Sequence, residues 1–181
     1  MHTKKYFIAI ILDGPGFDKI EALKQDLYTR HGLRGALRSP AHITLHRPFE
    51  WKEEKEPVLI EQLNLFRFGP SFELELEGFD GFEPRVIYAA LVHQPALYDL
   101  HARLTSFARR ELKLFNESED ERGFHPHVTV AFRDLKKPLY HQLMPEFRQT
   151  VLREKMWCKG FSLLKLEKTW SEHRFFAFDH A

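Results

Sequence analysis

The feature that most limits what this chain can fold into is a short word that occurs twice, His42-Ile43-Thr44-Leu45 and His127-Val128-Thr129-Val130. Each copy sits in a run where apolar and polar residues alternate, and a period of two is that of a strand with one face on a core. His and Thr then share a face, about 6–7 Å apart along the backbone, while Ile43 or Val128 points the other way. Composition alone would give roughly 0.4 His-x-Thr words, so the repetition decides little until the shared strand phasing is added.

The surroundings of the two words follow one order. Tyr6 to Leu12 is a short apolar run closed by Asp13-Gly14-Pro15-Gly16, which predicts a buried strand and a turn. Phe17, Ile20, Leu23, Leu27 and Tyr28 recur at helical spacing up to His31-Gly32, where the glycine supplies a stop. Ala41 to Pro48 is the first His strand, with His42, Thr44 and His46 expected on one face. Pro57 opens a helix ending before Gly69-Pro70, and Phe72, Leu74 and Leu76 alternate with glutamates as a strand, followed by a loop from Gly78 to Pro84. In the second half, Val86 to Val92 reads as a central strand and Leu97 to Leu112 as a helix. Asn116 to Gly123 is an acidic loop, and His127 to Phe132 is the second His strand. Pro138 to Leu152 is helical with Pro145 expected to kink or divide it, and Phe161 to Leu166 and Arg174 to Phe178 are closing strands. Both halves read strand, helix, His strand, helix, strand. The expected fold is therefore an α/β unit of the α+β type over residues 1–181, bilobal with lobes of about 1–84 and 85–181. Two antiparallel sheets should line a central cleft, with helices on the outer faces.

A length of 181 residues suits one such unit, and 43% hydrophobic residues are enough for a real core. The net charge of +1 argues against a bulk duplex-DNA binder, since nucleic-acid contact must then come from a local groove. The single cysteine, Cys158, excludes an internal disulfide and a cysteine-based zinc site, and fits a reducing cytoplasm. The first twelve residues read as a strand rather than a signal peptide or membrane span, so a soluble, cytoplasmic and monomeric protein is expected.

Two imidazoles and two hydroxyls around one pocket suit a phosphodiester. A histidine titrates near neutrality, so a pair can activate a nucleophile and protonate a leaving oxygen in one step. Threonine hydroxyls can hold non-bridging oxygens as charge builds in the transition state, with no metal or other cofactor required. The plainer alternative for each His is a strand residue satisfied by backbone or water, and for each Thr ordinary β-propensity.

The paired words, the second inside Phe124-His125-Pro126-His127-Val128-Thr129-Val130-Ala131-Phe132, resemble the 2H phosphoesterase superfamily, and Tyr6-Phe7-Ile8-Ala9-Ile10 resembles the first strand of its 2′-5′ RNA ligase-like branch. The resemblance implies metal-independent chemistry on 2′,3′-cyclic phosphates or 2′-5′ phosphodiesters of RNA ends or nucleotides. It implies His42 as the acid that protonates the departing ribose oxygen, His127 as the base that activates water, and Thr44 and Thr129 as phosphate ligands. The histidine roles could exchange with substrate. Arg133, after the second motif, is expected to approach the phosphate.

Other readings compete. His46 and His125 share their strands' faces with His42 and His127, so a four-histidine metal site is a rival, although no carboxylate sits in either strand. Both are otherwise cleft-rim residues. An RNA-end binding module without turnover is the second rival. Trp51, Trp157 and Trp170 could stack on a base but are more simply packing residues, and Tyr88 could face cleft or core.

Overall fold

The computed structural model describes residues 2–116 and 123–179. Its order is β1 (Thr3–Ile11), α1 (Gly14–His31), β2 (His42–Lys52), α2 (Glu56–Leu65), β3 (Phe72–Phe82), β4 (Val86–Leu91), α3 (Pro95–Glu111), β5 (Val128–Ala131), α4 (Lys137–Gln149), β6 (Arg153–Cys158), β7 (Gly160–Leu166) and β8 (Trp170–Ala177). A 3-10 turn over Gly35–Arg38 precedes β2. α1 stops as expected at Gly32, whose φ of 69° lets its N–H return to the Tyr28 carbonyl at 2.8 Å. Most of the acidic loop expected over 116–123 lies outside the described residues.

The α/β layout holds, and the strands form one curled antiparallel sheet, a half-barrel with the order β6-β3-β4-β5-β2-β1-β7-β8. The two expected sheets are its two halves, joined where β2 meets β5 at the Ile43–Val128 pair. Strand pairing crosses a division near residue 84 in both directions. β3 joins β4 and β6, while β7 returns to β1 and carries β8 on its outer edge. The helices cross in the same way, with α1 packed on β5 and β6 and α3 on β2. The physical reason is that each amphipathic helix buries its stripe on whichever strand face lies beneath it, and sequence order does not fix that partner.

One face of the sheet is closed by a single core. Ile8, Ile43, Leu63, Leu100, Leu104, Val128 and Leu163 are all essentially inaccessible to solvent and draw on both halves of the chain. The other face carries a small separate cluster of Phe7, Ala9 and Leu164, with Ile11 and Trp170 against it.

Three elements differ from the periodicity. Pro145 lies inside a continuous α4 rather than dividing it, on the exposed side, where the carbonyl that loses its partner faces water. β3 runs on through Phe82 instead of breaking at Gly78, and β6 is a strand the sequence reading leaves out. β6 runs from three charged residues, Arg153 to Lys155, into Met156, Trp157 and Cys158, with no period of two in residue type, and takes its place by pairing with β3 from Phe72–Cys158 to Glu77–Arg153. No described helix is long and apolar enough to cross a membrane.

Candidate active site

The two motifs meet through the one residue pair that joins the sheet halves. Because Ile43 opposes Val128 in an antiparallel ladder, His42 stands opposite Thr129 and Thr44 opposite His127. Ile43 and Val128 both point into the core, fully buried, so the four polar side chains emerge together on the other face. A pseudo-twofold axis runs through the Ile43–Val128 pair. It leaves the two histidines as diagonal neighbours, roughly 7–8 Å apart at the backbone, with a hydroxyl beside each.

Both rings are oriented by the same local bond. His42 Nδ1 donates to the Pro40 carbonyl at 2.7 Å, and His127 Nδ1 to the His125 carbonyl at 2.7 Å. Each bond spans two residues back along the chain and fixes the neutral tautomer with its lone pair on Nε2, which makes Nε2 the basic nitrogen on both sides. Aromatic rings back each imidazole. Phe7 lies 4.9 Å from His42, while Phe82 meets His127 edge-on at 5.0 Å and Tyr88 lies 5.2 Å from it. Tyr88 pairs with Thr129 across β4 and β5 and so faces the cleft, where its hydroxyl bonds His125 Nε2 at 3.1 Å.

The electrostatics around His42 come from α1. Lys24 is 2% exposed, and its ammonium donates to Glu21 Oε1 at 2.8 Å and to the Ser39 carbonyl at 3.0 Å. The same Glu21 oxygen accepts from the Ala41 N–H at 2.8 Å, so α1 holds both ends of the turn that delivers His42. Burial is the main cause that pushes the His42 pKa down to about 4, and Lys24 and His127 push the same way against the Pro40 bond and Glu21. Burial also lowers the Lys24 pKa, against the pull of Glu21. The free protein therefore holds His42 neutral throughout the physiological range.

A cavity of about 250 Å³ opens at His42, Thr44 and Thr129, lined also by Phe7, Trp170, Lys24, Arg38 and Arg133. Arg133 occupies the centre of a γ-turn, with φ of 64° and the Asp134 N–H bonded to the Phe132 carbonyl at 2.9 Å. That left-handed backbone costs a non-glycine residue about 1–3 kcal/mol and here sets the direction of a cleft side chain. Its guanidinium lies 5.1 Å from the centre of the Phe132 ring.

His46 is not at the rim. Along β1, Ile8 and Ala9 oppose His46 and Thr44, so β2 spends two residues where β1 spends one. This bulge turns His46 to the core side with Leu45, 3% exposed, edge-on to Phe49 at 5.5 Å. A four-histidine set is therefore not assembled, since His42 and His46 lie on opposite faces. His125 does remain beside His127, exposed at the cleft. Trp170 belongs to the cavity wall, packed edge-on against Phe7 at 4.7 Å, rather than to the core. Lys24, Glu21, Arg38 and Phe82 are site residues that sequence reasoning misses. A charged residue at a core position of an amphipathic helix, as at Lys24, is the one available signal.

The sequence profile of the 2′-5′ RNA ligase superfamily matches residues 13–170, and the chain belongs to this superfamily of 2H phosphoesterases. Among solved structures, E. coli LigT complexed with 3′-AMP is similar at 21% identity, with a TM-score of 0.63 over 99% of this chain and 100% of that one. TT0787 of Thermus thermophilus is similar at 18% identity, with a TM-score of 0.65 over 97% and 100%. A further structure described as a phosphoesterase is 20% identical, with a TM-score of 0.63 over 99% and 100%. At these identities the likeness is one of fold. No functionally curated protein matches the chain by sequence.

Proposed function

We propose that the protein is a metal-independent phosphodiesterase that opens 2′,3′-cyclic phosphates, or cleaves 2′-5′ phosphodiesters, at RNA ends or on nucleotides. The observation that carries this reading is the Ile43–Val128 register, which sets an imidazole and a hydroxyl on each side of one small site. Thr44 and Thr129 donate to the non-bridging oxygens and stabilise the charge of the pentacovalent transition state. The depressed pKa of His42 favours it as the base in the free enzyme, the converse of the role implied by the family resemblance. Water attacks phosphorus and gives its proton to His42 Nε2. The phosphorus bond to one ribose oxygen breaks, and that oxygen takes a proton from His127 Nε2. With the 5′-hydroxyl of a second strand in place of water, the same steps join that strand to a 2′,3′-cyclic end, which is the ligase direction: the hydroxyl proton goes to His42 Nε2 and the departing ribose oxygen takes one from His127 Nε2.

The test is hydrolysis of the four 2′,3′-cyclic mononucleotides and a short RNA with a cyclic phosphate end, in excess EDTA. Turnover in chelator that His42→Ala and His127→Ala each reduce by about 10² or more is expected. Folded wild-type protein that binds these ends and turns none of them over would be a binding module instead.

A further inference from the structure

The cleft holds more positive charge than the reaction needs. A cyclic phosphate carries one negative charge, and two threonines and the histidine pair already attend to it. The cavity lining adds Lys24, Arg38 and Arg133 and contains no carboxylate among the described residues, in a chain whose net charge is only +1. Lys24 is committed to Glu21 and the Ser39 carbonyl. Arg38 and Arg133 are exposed and have no carboxylate partner among the described residues.

The segments that carry these two arginines are tied together by one carboxylate. The Asp134 carboxylate accepts from the Arg34 N–H at 2.7 Å and from the Gly35 N–H at 3.2 Å, which ties the segment bearing Arg38 to the turn bearing Arg133. The contact is so close that a Cβ on Gly35 would collide with the Phe132 carbonyl oxygen, so only glycine fits there. Guanidinium groups on segments distant in sequence that line one cavity, with no carboxylate partner among the described residues, suit a phosphate. Phe7 and Trp170, packed against each other, add apolar surface to the same cavity, against which a nucleoside can lie.

We propose that Arg38 and Arg133 form a second phosphate subsite beyond the Thr44 and Thr129 seat. The preferred substrate then carries a second phosphate on the 5′ oxygen of the nucleoside whose cyclic phosphate is opened. This rests on the phosphodiesterase reading for the first phosphate. The second has two sources with the same chemistry, the 5′-phosphate of a mononucleotide or the phosphodiester that joins a terminal nucleotide to the rest of an RNA.

Titration calorimetry of adenosine 2′-monophosphate and adenosine 2′,5′-bisphosphate tests the subsite without requiring turnover. Wild-type protein is expected to bind the bisphosphate at least about 10-fold more tightly, as a charge-assisted arginine contact gives. Arg38→Gln and, separately, Arg133→Gln should bring that ratio below about threefold, with thermal melting confirming the fold. Equal affinities in the wild type, or a preference that neither variant erodes, would overturn the proposal. A preference that survives while no cyclic phosphate is hydrolysed in EDTA would keep the subsite and sink the phosphodiesterase. The source follows from kcat/KM on a 5′-phosphorylated 2′,3′-cyclic mononucleotide and on a dinucleotide ending in a cyclic phosphate. A gain over the unphosphorylated cyclic mononucleotide confined to the dinucleotide identifies an RNA strand, and an equal gain for both identifies the phosphate alone.

Discussion

The two motif strands lie side by side about one axis and carry the same side chains, yet they are supported in different ways. β2 is 11 residues long, paired on both edges, and led into by a turn that Lys24 and Glu21 clamp from beneath. β5 has four residues, and His127 stands just before it among Phe82, Tyr88 and His125. On the first side a helix buries its cation next to the imidazole, and on the second aromatic rings pack around it. The symmetry of the sequence word therefore extends to the backbone register and the Nδ1 bonds but not to the described groups packed around each ring. Two chemically equal histidines become unequal because their neighbours come from unrelated parts of the chain.

The largest effects test whether both sides act in one step. His42→Ala and His127→Ala should each lower kcat/KM by about 10² to 10⁴, and the double variant should fall little further, because the two act as a unit. A variant on one side that retains activity would reduce the pair to a single catalytic group. Next, Thr44→Val and Thr129→Val keep the β-branched shape and remove one hydroxyl each, so each should cost about 10- to 100-fold in kcat. Losses that differ by more than about tenfold between the two would show that the phosphate sits off the axis.

Stability against pH separates the halves by a different measure. The pKa of His42 is pushed down to about 4 by burial, and that of His101 to about 4 by burial and then by the neighbouring His46. Between about pH 6.5 and 4 the unfolded chain binds protons that these folded sites refuse. Stability should therefore be fully present above about pH 6.5 and fall as acid is added, by about 2 kcal/mol between them once partial exposure is allowed for. Equilibrium denaturation at about pH 7 and about pH 4.5 measures it, and His101→Phe should shrink the difference. Unchanged stability would mean that neither ring is held neutral by the fold.

The smallest effect is the sharpest. Lys24 lowers the His42 pKa, so Lys24→Met should raise it and move the acid limb of the kcat/KM profile to higher pH, by up to about one unit. A limb that stays in place would assign it to another group.

What the sequence allows and what it withholds divide along physical lines. The His and Thr positions, the strand phasing and the α1 stop are properties of local periodicity and can be read directly. The place of His46 cannot, because a single bulge in β2 reverses the face that strict alternation assigns. β6 lacks a continuous apolar run and is a strand only because β3 lies beside it. Lobes drawn as sequence halves follow chain order, whereas β3, β7 and β8 are sorted by pairing across the whole chain. Arg38 and Lys24 reach the cleft from a 3-10 turn and a helix, and no motif marks that convergence.

That sorting has a consequence for how the molecule is made. β1 comes before every other described strand in the chain and has β7 as one of its two neighbours, so its ladder stays half open until residue 166 is available. Pairings this distant in sequence fold slowly. A chain cut between the lobes expected from the sequence leaves each fragment with strands whose partners are on the other, so the fragments can mend one another only by folding together. Interrupted synthesis yields an incomplete sheet rather than a working half-enzyme.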